Sequence, residues 1–305
     1  MSSEQAPTSP GQRPERRRVR ASRRSIPHVL RSLWQRTSIS PLAVQYVDLT
    51  RRGLALGQRI VLATDLHARD DWFPRELVAT TVDAINDIPD VSFVTLVGDY
   101  VGDELEPIEW SSQEYGRITA PTYATLGNHD HWVDAMAVSA ALEANGVEML
   151  TNRAVPLAPA TPAGAPELWL AGIDSCWTRR GSNGPGCDPE AAFAEVPDNA
   201  EAIVLGHEPH LATMHEHVLH LAGHTHRGQV RVPLLGEWGA RVHMPRFSEP
   251  YPSGLYEVPT EQPSPLPARR RTSGDRRFVY TSGGVGYSTI NLRILCPPEI
   301  VVLDV

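Results

Sequence analysis

The sequence predicts an α/β fold in one domain, and three observations carry that expectation. From residue 59 onward, short β-branched runs alternate with stretches of helical periodicity. Five successive strand-like runs end in a carboxylate, an amide or an imidazole. The last third changes to strand-like runs separated by turns, which adds late strands to the α/β core.

Taken in order, residues 59–64 (Arg-Ile-Val-Leu-Ala-Thr) read as a buried strand and residues 91–97 as another. Between them Leu77, Val78, Thr81, Val82 and Ile85 form a helical stripe. Further strands are expected at 122–126, 168–173, 202–205 and 218–222. Helices are expected at 134–145, with Asn145-Gly146 as the stop, and at 209–216. Late strands follow at 229–232, 254–258, 277–281 and 300–305, and the Pro, Ser and Arg-rich residues 260–275 read as a surface loop.

Composition narrows the function classes. The 305 residues are 41% hydrophobic and 21% charged, which excludes a wholly disordered chain. No apolar run approaches the roughly 18 residues of a membrane helix. The formal net charge is -8, yet residues 1–36 hold nine Arg against Glu4 and Glu15, leaving 19 Arg against 34 acids in residues 37–305. All 28 basic residues are Arg, so chemistry that requires lysine is excluded. Cys176, Cys187 and Cys296 form no CxxC pair, and no disulfide framework is expected from them.

Residues 1–36 therefore read as a basic leader before a domain at 37–305. Its stretch Ser22-Arg23-Arg24-Ser25 loosely resembles a twin-Arg export signal, but Pro27, His28 and Arg31 interrupt the apolar segment that should follow. Ile26, Leu30, Leu33 and Trp34 share one helical side, which suits either peripheral contact with an anionic membrane or packing on the domain. The corresponding expectation is a cytoplasmic protein, membrane-associated on the inner face if the leader binds lipid.

The polar strand ends carry the chemistry. They read Asp65-x-His67, Gly98-Asp99, Gly127-Asn128-His129-Asp130, Gly206-His207 and Gly223-His224-Thr225-His226. In an open α/β sheet, ligands bind at the carboxyl ends of the strands, so these groups should converge. Asp, Asn and His together suit Zn, Mn, Fe or Mg, and they are too many for one ion and about right for two sharing a carboxylate. Two such ions can clamp a phosphoryl group and yield hydroxide from water near neutral pH.

In this order the motifs resemble the signature of the calcineurin-like metallophosphoesterases, from about residue 56 to the C-terminus. Gly223-His224-Thr225-His226-x-Gly228-Gln229, Ser253-Gly254-Leu255-Tyr256 and Cys296-Pro297-Pro298-Glu299-Ile300 look most like a bacterial phosphodiesterase branch, often membrane-linked. That branch includes UDP-2,3-diacylglucosamine hydrolase-like enzymes. The resemblance implies a four-layer αββα sandwich and a dinuclear hydrolase of phosphate esters. It also implies that Asp65, His67 and His226 hold one metal, that Asn128, His207 and His224 hold the other, and that Asp99 bridges. His129 matches the histidine that contacts phosphate and protonates the leaving oxygen, with Asp130 expected to orient it.

Two positions depart from the pattern. The usual Gly-Asp-x-x-Asp is replaced by Gly98-Asp99-Tyr100-Val101-Gly102-Asp103, and Arg227 stands where this branch usually has Gly. Arg227 either contacts phosphate or faces solvent. His210, His215, His217 and His220 are expected to be structural, His131 either lines the site or does not, and residues 176–184 form a flap or an ordinary connection. Trp238 to Tyr251, with Arg241, His243 and Arg246, suits a lipid or nucleotide leaving group. The expected partner is a phosphorylated small molecule or lipid. A nuclease is disfavoured by the acidic body, and a non-catalytic scaffold by the complete set of motif residues.

Overall fold

Two mixed sheets of six strands stack face to face, built by the alternating runs read above. The computed structural model describes residues 41–70, 75–157, 167–229, 249–258, 276–288 and 292–305. The first sheet runs, edge to edge, β1 (Ala43–Asp48), β12 (Glu299–Asp304), β2 (Arg59–Ala63), β3 (Phe93–Val97), β4 (Thr122–Thr125) and β5 (Glu148–Met149). The second runs β10 (Gly254–Val258), β11 (Arg277–Thr281), β9 (Leu219–Ala222), β8 (Glu201–Gly206), β7 (Leu168–Ile173) and β6 (Arg153–Pro156). Pairs β2–β3, β3–β4, β7–β8 and β8–β9 are parallel, so their carboxyl ends open on one rim of each sheet.

Side-chain alternation along these strands divides the core into layers. In the first sheet Val61, Ala63, Val94 and Leu96 face the helices α1 (Arg75–Asn86), α2 (Pro107–Tyr115) and α4 (Ala135–Ala144), through Val78, Val82, Ile85, Ile108, Val138 and Leu142. Ile60, Leu62, Phe93 and Val97 point the other way, onto Leu170, Ile203, Leu205, Leu219 and Leu221 of the second sheet. The outer face of that sheet packs Ala171, Ile173 and Val204 against Ala192 of the short α5 (Pro189–Ala192), with Phe193, Val196 and Leu211. Helix, sheet, sheet and helix thus form the expected αββα sandwich. Central strands such as β2 and β3 are mostly apolar because both faces are covered.

Several boundaries differ from the sequence reading. The helix expected at 209–216 is a 3-10 turn, Pro209–Thr213, in which Leu211 and Ala212 are buried. The six residues after Gly127 form an unforeseen helix, α3 (Asn128–Val133), separated from α4 by Asp134, whose side chain caps Ala137 N–H. Strands β1, β5 and β6 and helix α2 also went unread. The leader at 1–36 and the loop at 260–275 lie outside the described residues, as do most of the expected strand at 229–232 and of the Trp238–Tyr251 stretch. Among the described residues, no helix is long and apolar enough to cross a membrane.

Candidate metal centre

All seven expected ligands are buried and gather where the parallel strands end. Asp65 and His67 leave β2, Asp99 leaves β3 and Asn128 opens α3 after β4, all from the first sheet. His207 follows β8, and His224 and His226 follow β9, from the second. Donor atoms of Asp65, His67, Asp99 and His226 lie within 4.8 Å of one another, as do those of Asp99, His207 and His224. Asp99 belongs to both groups.

Tight packing of the strand-end loops produces this convergence. Gly98 has φ +75°, and a Cβ there would lie 2.6 Å from both Gly127 N and His207 Nδ1. A Cβ at Gly223 would lie 2.3 Å from Asp65 Oδ2. Only glycine allows the loops to close to this distance. Asp65, His67, Asp99, His224 and His226 all have positive φ, between 45° and 69°. Such conformations are costly for residues with a Cβ and persist where the surrounding structure enforces them, as it does at functional sites.

The inner geometry suits cations. His67 Nε2 and His226 Nε2 are 3.0 Å apart, His226 Nε2 is 3.2 Å from Asp65 Oδ1, and His207 Nε2 is 3.1 Å from Asp99 Oδ2. Asn128 Oδ1 and His224 Nε2 are buried and make no hydrogen bond among the described residues. Orphaned buried polar atoms at the meeting point of two carboxylates and four imidazoles fit a divalent-metal site. Surrounding groups fix the imidazoles: His207 Nδ1–H donates to Val97 O at 2.8 Å, leaving Nε2 free for the centre. The buried Arg293 lies 3.3 Å from His226 Nδ1 and also donates to Gly283 O and Gly286 O.

Burial holds the titrations of His67, His224 and His226 well below the usual imidazole range, so they are neutral, the form that binds metal. Burial pushes Asp65 up to about 7, helped by the neighbouring Asp99 and opposed by His207. Burial would raise Asp99 as well, but His207 and His129 outweigh it and hold Asp99 well below the carboxylate range.

His129 sits beside this centre, its ring 4.7 Å from that of His67, edge to face. Its backbone N–H donates to Asp99 Oδ1 at 2.8 Å, and its Nδ1–H donates to Gly102 O at 3.0 Å. The expected contact from Asp130 is not what orients it. Both Asp130 oxygens accept backbone N–H groups instead, from Asp99, Tyr100 and Gly127 at 2.8 to 2.9 Å, which braces the turn carrying Asp99. The carboxylate facing the His129 ring is Asp103, 3.8 Å from Nδ1.

Other expectations resolve similarly. Arg227 pairs with the buried Glu299, its Nη1 2.7 Å from the carboxylate. His131 is a buried tie, 2.8 Å from both Asp174 Oδ1 and Ser182 Oγ. His210 bonds Glu249, and His215 and His220 are 3.1 Å apart inside the domain. Cys176 and Cys187, for which no pairing was expected, form a disulfide. Their separation of 11 residues matches no spacing motif, and the fold alone brings them together.

That disulfide closes the loop read as either a flap or an ordinary connection, and the loop borders the site. Trp177 packs edge-on to His224 with ring centroids 4.4 Å apart, and its carbonyl accepts Trp132 Nε1–H at 3.0 Å. Trp132 lies 4.4 Å from His129, and the Arg179 guanidinium stacks 4.2 Å from the Trp132 ring. Trp177 lies in the loop that the sequence offered as a flap or a connection; Trp132, three residues beyond His129 on one helix, was not singled out, although that spacing could have revealed it.

Comparison with known proteins gives the family. The calcineurin-like phosphoesterase family profile matches residues 58–228. Phosphodiesterase YaeI of Escherichia coli (strain K12) is 30% identical over 264 residues, covering 81% of each chain. A transmembrane protein with metallophosphoesterase domain from Danio rerio is 29% identical over 80% of this chain and 52% of its own length. Among solved structures, a 5'-nucleotidase precursor from Thermus thermophilus aligns with a TM-score of 0.45 at 13% identity, covering 80% of this chain and 54% of that one. The chain belongs to the calcineurin-like phosphoesterase family, as a metal-dependent phosphoesterase.

Proposed function

We propose that the protein is a dinuclear phosphodiesterase, with Asp65, His67, Asp99 and His226 holding one divalent ion and Asp99, Asn128, His207 and His224 the other. The observation that carries this reading is the pair of ligand groups sharing Asp99. The donor set accepts Mn, Zn, Fe or Mg. When bound, two such ions polarise a phosphoryl oxygen and lower the pKa of water toward about 7.

The chain's own groups complete the reaction. His129 has its Nδ1–H committed to Gly102 O, which leaves Nε2 to deliver a proton to the departing oxygen. Trp132 and Trp177 wall the site beside His129 and His224, shaping the space for the leaving group. Diester over monoester chemistry is favoured by the likeness to a phosphodiesterase across 81% of each chain. Purified protein loaded with Mn or Zn is expected to cleave bis-p-nitrophenyl phosphate faster than p-nitrophenyl phosphate. Fully metallated protein that cleaves neither would overturn the reading.

A further inference from the structure

The loops leaving β2 and β3 run side by side, joined by an isolated parallel bridge between Ala68 and Val101. The next residue on each loop is Arg69 and Gly102. A Cβ at residue 102 would lie 2.2 Å from Arg69 Nε and 2.9 Å from its Cζ, so the guanidinium occupies space that only glycine leaves open. This is the position at which the sequence departs from Gly-Asp-x-x-Asp.

The guanidinium is held loosely for a group so placed. Nη2 lies 3.5 Å from Asp103 Oδ2, and Asp103 is 62% exposed, so water screens that pair. Nε is buried and has no hydrogen-bond partner among the described residues. The buried Arg293 makes the contrast, since its Nε and Nη2 donate to the carbonyls of Gly283 and Gly286. An arginine serving structure alone would be tied in that way; an unsatisfied buried donor calls for another partner.

Arg69 also shares its neighbours with His129. Gly102 O accepts the His129 Nδ1 proton, and Asp103 Oδ1 is 3.8 Å from the same nitrogen. Two residues earlier in the chain, His67 packs against the His129 ring. A planar, permanently charged fork that shares Gly102 and Asp103 with His129 suits the oxygens of a phosphate.

We propose that Arg69, cradled by Gly102, binds non-bridging oxygens of the substrate's phosphoryl group on the His129 side of the centre. The proposal rests on reading the centre as a phosphoesterase site. Its test is calorimetric titration of inorganic phosphate into Mn-loaded protein, run beside turnover of bis-p-nitrophenyl phosphate and metal analysis. Arg69→Gln is expected to weaken phosphate binding by roughly 10- to 100-fold and raise KM, with metal content unchanged. Arg69→Lys should recover part of the loss, because it restores charge without the fork. Gly102→Ala should weaken binding although the arginine is retained. Arg153→Gln, at an exposed ion pair with Glu148, should leave affinity unchanged.

Wild-type phosphate affinity in folded, metallated Arg69→Gln would overturn the proposal. So would an equal loss in Arg153→Gln, or a wild-type protein that does not bind phosphate. If wild-type protein binds phosphate through Arg69 yet hydrolyses no ester, the phosphoesterase reading fails and the Arg69 assignment stands. Turnover with phosphate affinity independent of Arg69 gives the reverse.

Discussion

Asp99 lies 3.4 Å from His67 Nε2 and 3.1 Å from His207 Nε2, and among the described residues it is the residue shared by both candidate ligand groups. Asp99→Ala is expected to empty both sites together and lower turnover by more than about 100-fold, the upper end of the general range of about 10- to 100-fold for partners that only support a ligand. His129→Asn should keep both ions and lower kcat by about 100- to 10,000-fold, the range for a lost proton donor. Elemental analysis beside kinetics separates the two, and metal loss in His129→Asn would contradict the assignment. Metal loading should also displace protons, because Asp65 is raised to about 7 and His207 is raised well above the usual imidazole range when no cation neutralises Asp99. Affinity should therefore weaken as pH falls below 7, and titration in buffers of different ionisation enthalpy should show net proton release. The candidate ligands were legible in sequence because each is a polar residue just beyond the end of a strand. Arg293 was not, since its link to His226 spans 67 residues and depends on the fold alone.

At the scale of elements, the loop from Ser175 to Asp188 is where sequence reading fell furthest short. Its disulfide, the His131–Ser182 contact and the stacking of Arg179 on Trp132 all join segments that carry no shared local pattern. Strand β1 was missed for a different reason: Val44 and Tyr46 are exposed, so its alternation does not mark a buried face. The helix α1 and the central strands were legible because one face, or both, is apolar and continuous. Replacing Cys176 and Cys187 together by Ser frees a loop that the bridge restrains in the unfolded chain, with an expected loss of up to about 3 kcal/mol. The loop carries Trp177 and Arg179 but none of the seven ligands, so KM for diesters should rise while metal content holds. Equilibrium denaturation, metal analysis and kinetics on the same variant check this, and an unchanged KM would remove the loop from substrate recognition.

For the whole molecule, the ions would act as cross-links between layers. Asp65, His67, Asp99 and Asn128 come from the first sheet, and His207, His224 and His226 from the second, so metal binding should oppose separation of the sandwich. Ligand held at 1,000 times its Kd stabilises the folded state by about 4.1 kcal/mol, so Mn should raise Tm by several degrees and a chelator should reverse the shift. The acidic excess of residues 37–305 also takes on a partial explanation, since Asp65 and Asp99 are placed to be neutralised by cations. The most direct measurement is metal stoichiometry paired with turnover of bis-p-nitrophenyl phosphate, for wild-type protein and Asp99→Ala. Two ions per chain and hydrolysis that are lost together in the variant are the predicted result. A wild-type chain that holds two ions and hydrolyses nothing, or an Asp99→Ala variant that keeps both ions and full turnover, would contradict it.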